Sequence, residues 1–322
     1  MSFSRSEQLT KLKNKEVFDL LILGGGIIGS AALAMASSDG LNAILLEKND
    51  FASGASSRST KLLHGGIRYL PQLQFGLVRK SLQEQKVLQN LLGDLYKTLQ
   101  LLAPIYKDDG FADMPKIFQN NFITPKAFKL GLFLYDFLGS RKKNRRHRNV
   151  STQETSEMFP VLKKRNLKKS FIFEDAQTDD AKLVLTLLRN AVEEHNATAV
   201  NYFEITNIRK IEKIYKVECV DKISLKTFEI EVKKIIAATG VHNLPGNYES
   251  KSSKMKYSGG AHLILKGDPL RLQGNAVLFP KTEDERIMFV LPWLGNTIVG
   301  TTDTKTFSGT LDRPFADDND KE

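Results

Sequence analysis

The sequence has one cysteine, Cys219, five histidines and one tryptophan in 322 residues. A single thiol excludes an intramolecular disulfide framework and fits a reducing compartment. So few histidines and cysteines argue against a structural zinc site, and no metal is expected. No stretch reaches the roughly 18 apolar residues of a membrane-spanning helix. Met1 to Val17 lacks the apolar core of a secretory signal. No internal repeat occurs. With 41% hydrophobic and 26% charged residues, a collagen-like, mucin-like or wholly disordered chain is excluded. At about 100–200 residues per domain, the length allows one large or two medium domains.

The net charge is +10, and it is local. Arg141 to Ser170 holds eleven Lys/Arg against two acids, Glu154 and Glu157, which is nine of the ten excess charges. The remainder is nearly neutral. The basic character is therefore a patch and not a global nucleic-acid surface, and no aromatic interleaving or recognition motif adds to it. A solvated loop is one reading of the patch. Contact with an anionic membrane surface is the other, because the amphipathic stretch Phe128 to Leu138 directly precedes it.

Along the chain, residues 1–16 read as a polar leader. Val17 to Leu23 is a short apolar run that suits a buried parallel strand. An Ala-rich segment, Ser30 to Ser38, suits a helix packed closely on a sheet and stops at Asp39-Gly40. Ala43 to Leu46 is a second strand. Phe51 to Thr60 is a loop of small residues, continued by His64-Gly65-Gly66. From Gly76 to Leu102, Val78, Leu82, Leu88, Leu91, Leu92, Leu95, Leu99 and Leu102 recur at helical spacing and predict one long helix. Asp180 to Glu194 predicts another helix, and Thr198 to Ile205 a strand. Ile214–Val220 and Thr227–Val232 predict a hairpin, and Ile235–Ala238 a separate strand. Further strands are expected at His262–Leu265, Ile287–Leu291 and Thr297–Val299. The fold class is α/β, a Rossmann-like dinucleotide domain interleaved with a β-rich α+β domain. Its expected segments are 17–75, the cofactor-binding βαβ unit and its loop; 76–175, helical and basic; 176–245, a return to the cofactor domain; and 246–322, strands of the second domain.

Gly24-Gly25-Gly26-Ile27-Ile28-Gly29 follows the first strand and opens the first helix, and Glu47 ends the second strand. This context turns a weak Gly-x-Gly-x-x-Gly match into a dinucleotide fingerprint. Gly24 allows a tight turn, Gly26 lets backbone approach a pyrophosphate, and Gly29 lets the helix sit close to the sheet. The helix start offers N–H groups and positive potential to phosphate. Glu47 is placed to accept from ribose hydroxyls. The pattern does not choose between NAD and FAD.

The next segment does. Ser56-Ser57-Arg58-Ser59-Thr60-Lys61-Leu62-Leu63-His64-Gly65-Gly66-Ile67-Arg68-Tyr69 resembles the signature of FAD-dependent glycerol-3-phosphate dehydrogenases. Leu132 to Leu138, Asp180-Ala181-Lys182-Leu183, Ala238-Thr239-Gly240, Phe289 to Trp293 and Gly300-Thr301-Thr302-Asp303-Thr304 resemble that family too, in order. The resemblance implies FAD as cofactor and oxidation of sn-glycerol 3-phosphate to dihydroxyacetone phosphate. It implies hydride transfer from C2 to the flavin N5, then electron transfer to a membrane quinone. It makes Arg68, with Tyr69, the candidate substrate-phosphate site, because guanidinium offers phosphate a bidentate fork. It makes His262 a candidate base, with His64 as its rival, and Lys61 a candidate to neutralise charge on reduced flavin. Gly24, Gly25, Gly26, Ile27, Gly29, Glu47, Ser59, Thr60, Leu62, Thr239 and Gly240 are the candidate cofactor contacts. The implied protein is cytoplasmic or peripheral on the inner face of the cell membrane.

Two departures matter. Val241-His242-Asn243 follows Ala238-Thr239-Gly240 where the family continues with proline and an aromatic. After Thr304 the resemblance fades, and the family's Ser-Gly-x-Arg-Pro and Gly-Gly-Lys-x-Thr-Thr-Tyr-Arg segments are not found. Two other readings therefore stay open: an oxidase of similar type that makes hydrogen peroxide, and a truncated remnant without catalysis.

Overall fold

The computed structural model describes residues 3–12, 17–70, 72–107, 123–139, 146–242, 257–282, 286–302, 308–310 and 314–316. Two compact units share these residues. The first comprises 1–59 and 179–257, the second 60–178 and 258–322.

The first unit is built on a six-stranded sheet. Its order is Thr198–Val200, Ala43–Leu46, Phe18–Leu23, Thr227–Ala237, Ile214–Asp221, Phe203–Ile211. The first four run parallel and the last three form an antiparallel meander. From Leu20 to Leu23, strand Phe18–Leu23 is apolar on both faces because both are covered. Leu20 and Ile22 pack with Leu33 and Ala36 of helix Ile27–Ser38 and Val184 and Leu188 of helix Asp180–Glu193. Leu21 and Leu23 pack with Phe203, Val217 and Ile230 of the meander strands. Leu21, Ile22, Leu33, Ile44 and Leu45 have no solvent exposure, and each such side chain contributes about 1.5–3 kcal/mol by leaving water. Within the leader, helix Arg5–Leu12 is tied down through Arg5, which donates to Asp221 at 2.6 Å and to the Asn201 carbonyl. Burial raises the Asp221 carboxyl, but the donors from Arg5, Ser224 and Ile223 outweigh it and hold the group at about 2. Cys219 is buried, which pushes its thiol up to about 12.

The second unit carries an eight-stranded sheet. Its main path runs His262–Leu265, Asn296–Gly300, Met288–Trp293, Ala276–Phe279, Lys97–Tyr106, Leu167–Gln177, Leu62–Leu63, and Arg148–Val150 also pairs with Leu167–Gln177. Helices Phe75–Leu91 and Ile123–Leu138 cover one face, where Val78, Leu82, Phe128, Leu132 and Tyr135 meet Leu99, Leu101, Phe171 and Phe173.

Several sequence expectations are corrected here. The predicted helix Gly76–Leu102 ends at Leu91, and Lys97–Tyr106 is a strand. Gly93 has φ +50 in the connecting turn, and Leu101 and Leu102 on opposite faces of the strand are both buried. A strand between two covered faces is apolar throughout, which mimics helical spacing over a short window. The strand predicted from Thr198 to Ile205 is two strands, broken at Asn201-Tyr202 where Tyr202 takes φ +55. The two predicted strands over 227–238 are one, Thr227–Ala237, which pairs with the hairpin on one side and with Phe18–Leu23 on the other. The basic segment is not a simple loop. Arg141 to Arg145 lie outside the described residues, but Arg148–Val150 and Leu167–Lys169 are strand and Thr152–Met158 is a helix capped by Ser151.

Candidate functional site: a dinucleotide cradle and a histidine-bearing loop

In the first unit, the C-terminal ends of the parallel strands bring the fingerprint together. Phe18–Leu23 leads into Gly24, with φ +105, and the helix begins at Ile27. A Cβ on Gly24 would overlap the Ala238 carbonyl oxygen, and one on Gly29 would overlap that of Gly24. A side chain at Gly29 would push the helix off the turn, and one at Gly24 would push the turn off the end of the neighbouring strand. A Cβ on Gly25 would meet Phe51 and Glu47, and one on Gly26 would meet Ser56 Oγ at 2.9 Å. Glu47 stands at the end of the neighbouring strand. Its Oε2 accepts from Gly25 N–H at 2.6 Å and its Oε1 from Asn49 N–H at 2.7 Å. Ser56 Oγ accepts from Ile27 N–H at 2.9 Å, and the helix cap residue Gly26 supplies no side-chain hydrogen bond. Thr239 and Gly240 follow the next strand, where Thr239 Oγ1 donates to the His242 carbonyl at 2.8 Å and Gly240 has φ +63. The cradle is thus a side-chain-free turn against a helix start, flanked by one fixed carboxylate. Such a turn has the chemistry to hold a pyrophosphate at its N–H groups and a ribose hydroxyl at the carboxylate. Ser59, expected as a cofactor contact, donates through its hydroxyl to Asp180 Oδ2 at 2.7 Å.

The second unit holds the other candidates. Thr60 Oγ1 shares a hydrogen bond with His262 Nε2 at 3.2 Å. The Lys61 ammonium lies 5.6 Å from the Trp293 ring centroid. Burial first, and the Lys61 charge second, lower the basicity of His262, which favours its uncharged ring. Leu62 pairs with Gln177 in the sheet, which engages its backbone in a ladder. His64 is also less basic than an ordinary histidine: burial lowers it most, Asp175 opposes that, and Arg68 adds to it. His64 and His262 therefore belong to two different groups. Arg68 is exposed. Its Nη2 donates to the Tyr69 hydroxyl at 2.8 Å and its guanidinium stands 4.8 Å from the Tyr69 ring centroid. The tyrosine thus orients the fork without neutralising it.

The sequence profile described as FAD dependent oxidoreductase matches residues 19–322. The chain belongs to the FAD-dependent oxidoreductase family. Within it, the chain is 33% identical to an aerobic glycerol-3-phosphate dehydrogenase of Staphylococcus saprophyticus, over all of this chain and 56% of that protein. It is equally 33% identical to the enzyme of that name from Staphylococcus aureus, over 94% of this chain and 53% of that protein. The chain therefore spans about half the length of these relatives. Among solved structures, the glycerol-3-phosphate dehydrogenase from Bacillus halodurans complexed with FAD superposes with a TM-score of 0.71 at 27% identity, over 98% of this chain and 53% of that one. The L-α-glycerophosphate oxidase of Mycoplasma pneumoniae shares the fold, with a TM-score of 0.64 at 18% identity, over 90% of this chain and 72% of that one.

The cradle fits the family's cofactor: the glycines leave room for phosphate, and Glu47 is a fixed carboxylate beside them. Sequence reasoning missed four residues here. Ser56 lay within a Ser-rich loop with nothing to distinguish it from Ser57. Trp293 stood in a quoted motif without a role. Asp180 stood at a helix start and in a family-like motif without a role. Asp175 interrupts an apolar run, but beside Glu174, with nothing to tell the two acids apart.

Proposed function

We propose that this chain carries the cofactor cradle and substrate-facing groups of an enzyme that oxidises sn-glycerol 3-phosphate to dihydroxyacetone phosphate and delivers the electrons to a quinone. The observation that carries this reading is the exposed Arg68 guanidinium, oriented by Tyr69, in the same unit as the half-buried His262, which is hydrogen-bonded to Thr60. The names of the Staphylococcus relatives support the substrate. FAD, when bound, supplies the acceptor for the hydride that leaves C2. Gly24 to Gly29 and Glu47 hold its ADP half. Arg68 binds the substrate phosphate as a charge-assisted fork. His262 takes the C2 hydroxyl proton at the imidazole, which is available because the ring is uncharged, while Thr60 fixes the ring. Lys61 supplies positive charge beside that histidine.

The test is turnover of glycerol 3-phosphate by flavin-reconstituted protein, with a soluble quinone or with oxygen as acceptor. Quinone-dependent product is expected. Peroxide formed instead would favour the oxidase reading. Protein that holds FAD but does not turn over would favour the remnant reading. Because the His262 base is depressed, the rate should persist below the ordinary histidine range and fall only as the ring protonates in more acid solution. A rate already lost near pH 6.5, the ordinary value, would count against His262 as the base.

The same reading extends to location, cytoplasmic and peripheral to the inner face of the membrane. Among the described residues no helix is long and apolar enough to cross a membrane. On helix Ile123–Leu138, however, Leu130, Phe133 and Phe137 are 60%, 56% and 72% exposed, one apolar stripe opposite the buried Phe128, Leu132 and Tyr135. Lys126 and Lys129 are exposed on the same helix and the basic patch follows it. A stripe of this kind flanked by cations suits the interface of an anionic bilayer. Replacing Leu130, Phe133 and Phe137 by serine is expected to abolish sedimentation with phosphatidylglycerol vesicles at low salt. Unchanged sedimentation would remove this role.

A further inference from the structure

Asp175 has no part in the scheme above, yet three elements converge on it. It lies on strand Leu167–Gln177 and is 3% exposed. Gly65 N–H donates to its Oδ1 at 3.1 Å, and the Tyr135 hydroxyl to its Oδ2 at 3.0 Å. The Gln85 side-chain amide donates to Oδ1 and also to the Leu63 carbonyl at 2.5 Å. Gln85 comes from helix Phe75–Leu91 and Tyr135 from helix Ile123–Leu138, and both are themselves buried. A Cβ at position 65 would overlap both the Tyr135 hydroxyl and the Leu82 side chain, so only glycine lets the turn reach the carboxylate. Burying a carboxylate is costly unless its lone pairs are satisfied. These donors engage both carboxylate oxygens.

The residue just before Gly65 in that turn is His64. The charged groups acting on His64 are Asp175, which favours the imidazolium, and Arg68 of the following 3₁₀ turn, which opposes it. Tyr135 is the titratable side chain that reaches the carboxylate from the covering helix. We propose that Asp175 is the positioning residue of the His64–Arg68 turn: its buried carboxylate fixes the turn through Gly65, Gln85 and Tyr135 and sets its charge against the His64 imidazole. Arg68, two residues past the anchored glycine pair, inherits its position from this anchor. The inference deepens the functional reading, since the same turn carries the phosphate-binding arginine, and it rests on that reading only for its consequence in catalysis.

The test follows the His64 ring by NMR in the whole chain across a pH titration, the signal being assigned by its loss in His64→Gln. Asp175→Asn keeps the side-chain shape and removes the charge, so the His64 midpoint should move to lower pH. Tyr135→Phe removes a donor and leaves the carboxylate less dispersed, so the midpoint should move to higher pH. A role in packing alone predicts no such opposed pair. An unmoved His64 midpoint in folded Asp175→Asn overturns the proposal. If that variant does not fold, Tyr135→Phe decides: an upward shift supports the proposal, and no shift or a downward one overturns it. Failure of the wild-type chain to bind glycerol 3-phosphate would sink the functional reading and leave this titration result standing.

Discussion

Gly29→Ala should leave a protein that cannot retain FAD and is less stable by about 1–3 kcal/mol, the usual range for forcing one methyl into a filled space. The added Cβ would sit on the Gly24 carbonyl oxygen. That atom is backbone and cannot rotate away, so the helix Ile27–Ser38 must lift from strand Phe18–Leu23. Lifting it moves the helix start away from the pyrophosphate position and loosens Leu33 and Ala36 against Leu20 and Ile22. The measurements are flavin absorbance after reconstitution and the midpoint of denaturant unfolding. Gly76→Ala is the control, because a Cβ there meets nothing within 4 Å. It should keep flavin at the wild-type level. If Gly29→Ala keeps its flavin and its stability, the close contact of helix and strand is not what the site depends on. The unfolding comparison reads out even if the chain alone binds flavin weakly.

Arg68→Ala should weaken glycerol 3-phosphate binding by roughly 10–100-fold, since charged hydrogen bonds contribute about 1.5–3 kcal/mol. Flavin retention should not change. Arg68→Lys should recover little, because an ammonium cannot reproduce the planar fork and has no such stacking on Tyr69. Calorimetric titration with glycerol 3-phosphate and, separately, with FAD separates the two effects. Equal loss of both ligands would show that Arg68 supports the fold and does not read the phosphate. A normal affinity in Arg68→Ala would move the phosphate site elsewhere.

Much of the cradle was legible because its chemistry is local. Gly24, Gly26, Gly29 and Glu47 are set by strand–turn–helix–strand spacing, and that order is written directly in residues 17–47. The helix at Asp180–Glu193 was legible for the same reason: a capping Asp179, whose side chain accepts from Lys182 N–H at 3.0 Å, precedes a periodic apolar face. The strand Lys97–Tyr106 was not. Its Leu99, Leu101 and Leu102 match a helix as well as a strand covered on both faces, and the pairing with Leu167–Gln177 that decides the matter lies some seventy positions away in sequence. Thr60 was legible as a residue of the signature and illegible as the partner of His262, because their contact spans 202 positions.

The sequence by itself determined the family, its FAD dependence and the strand–glycine turn–helix order at its start, since each depends on residues that are neighbours along the chain. Tertiary structure alone decided which histidine answers to which partner. Thr60 and Lys61 attend His262, while Asp175 attends His64. The reason is physical: proton affinity follows burial and the charges nearby in space, and in this chain Lys61 reaches His262, and Asp175 reaches His64, only after distant strands and helices have packed.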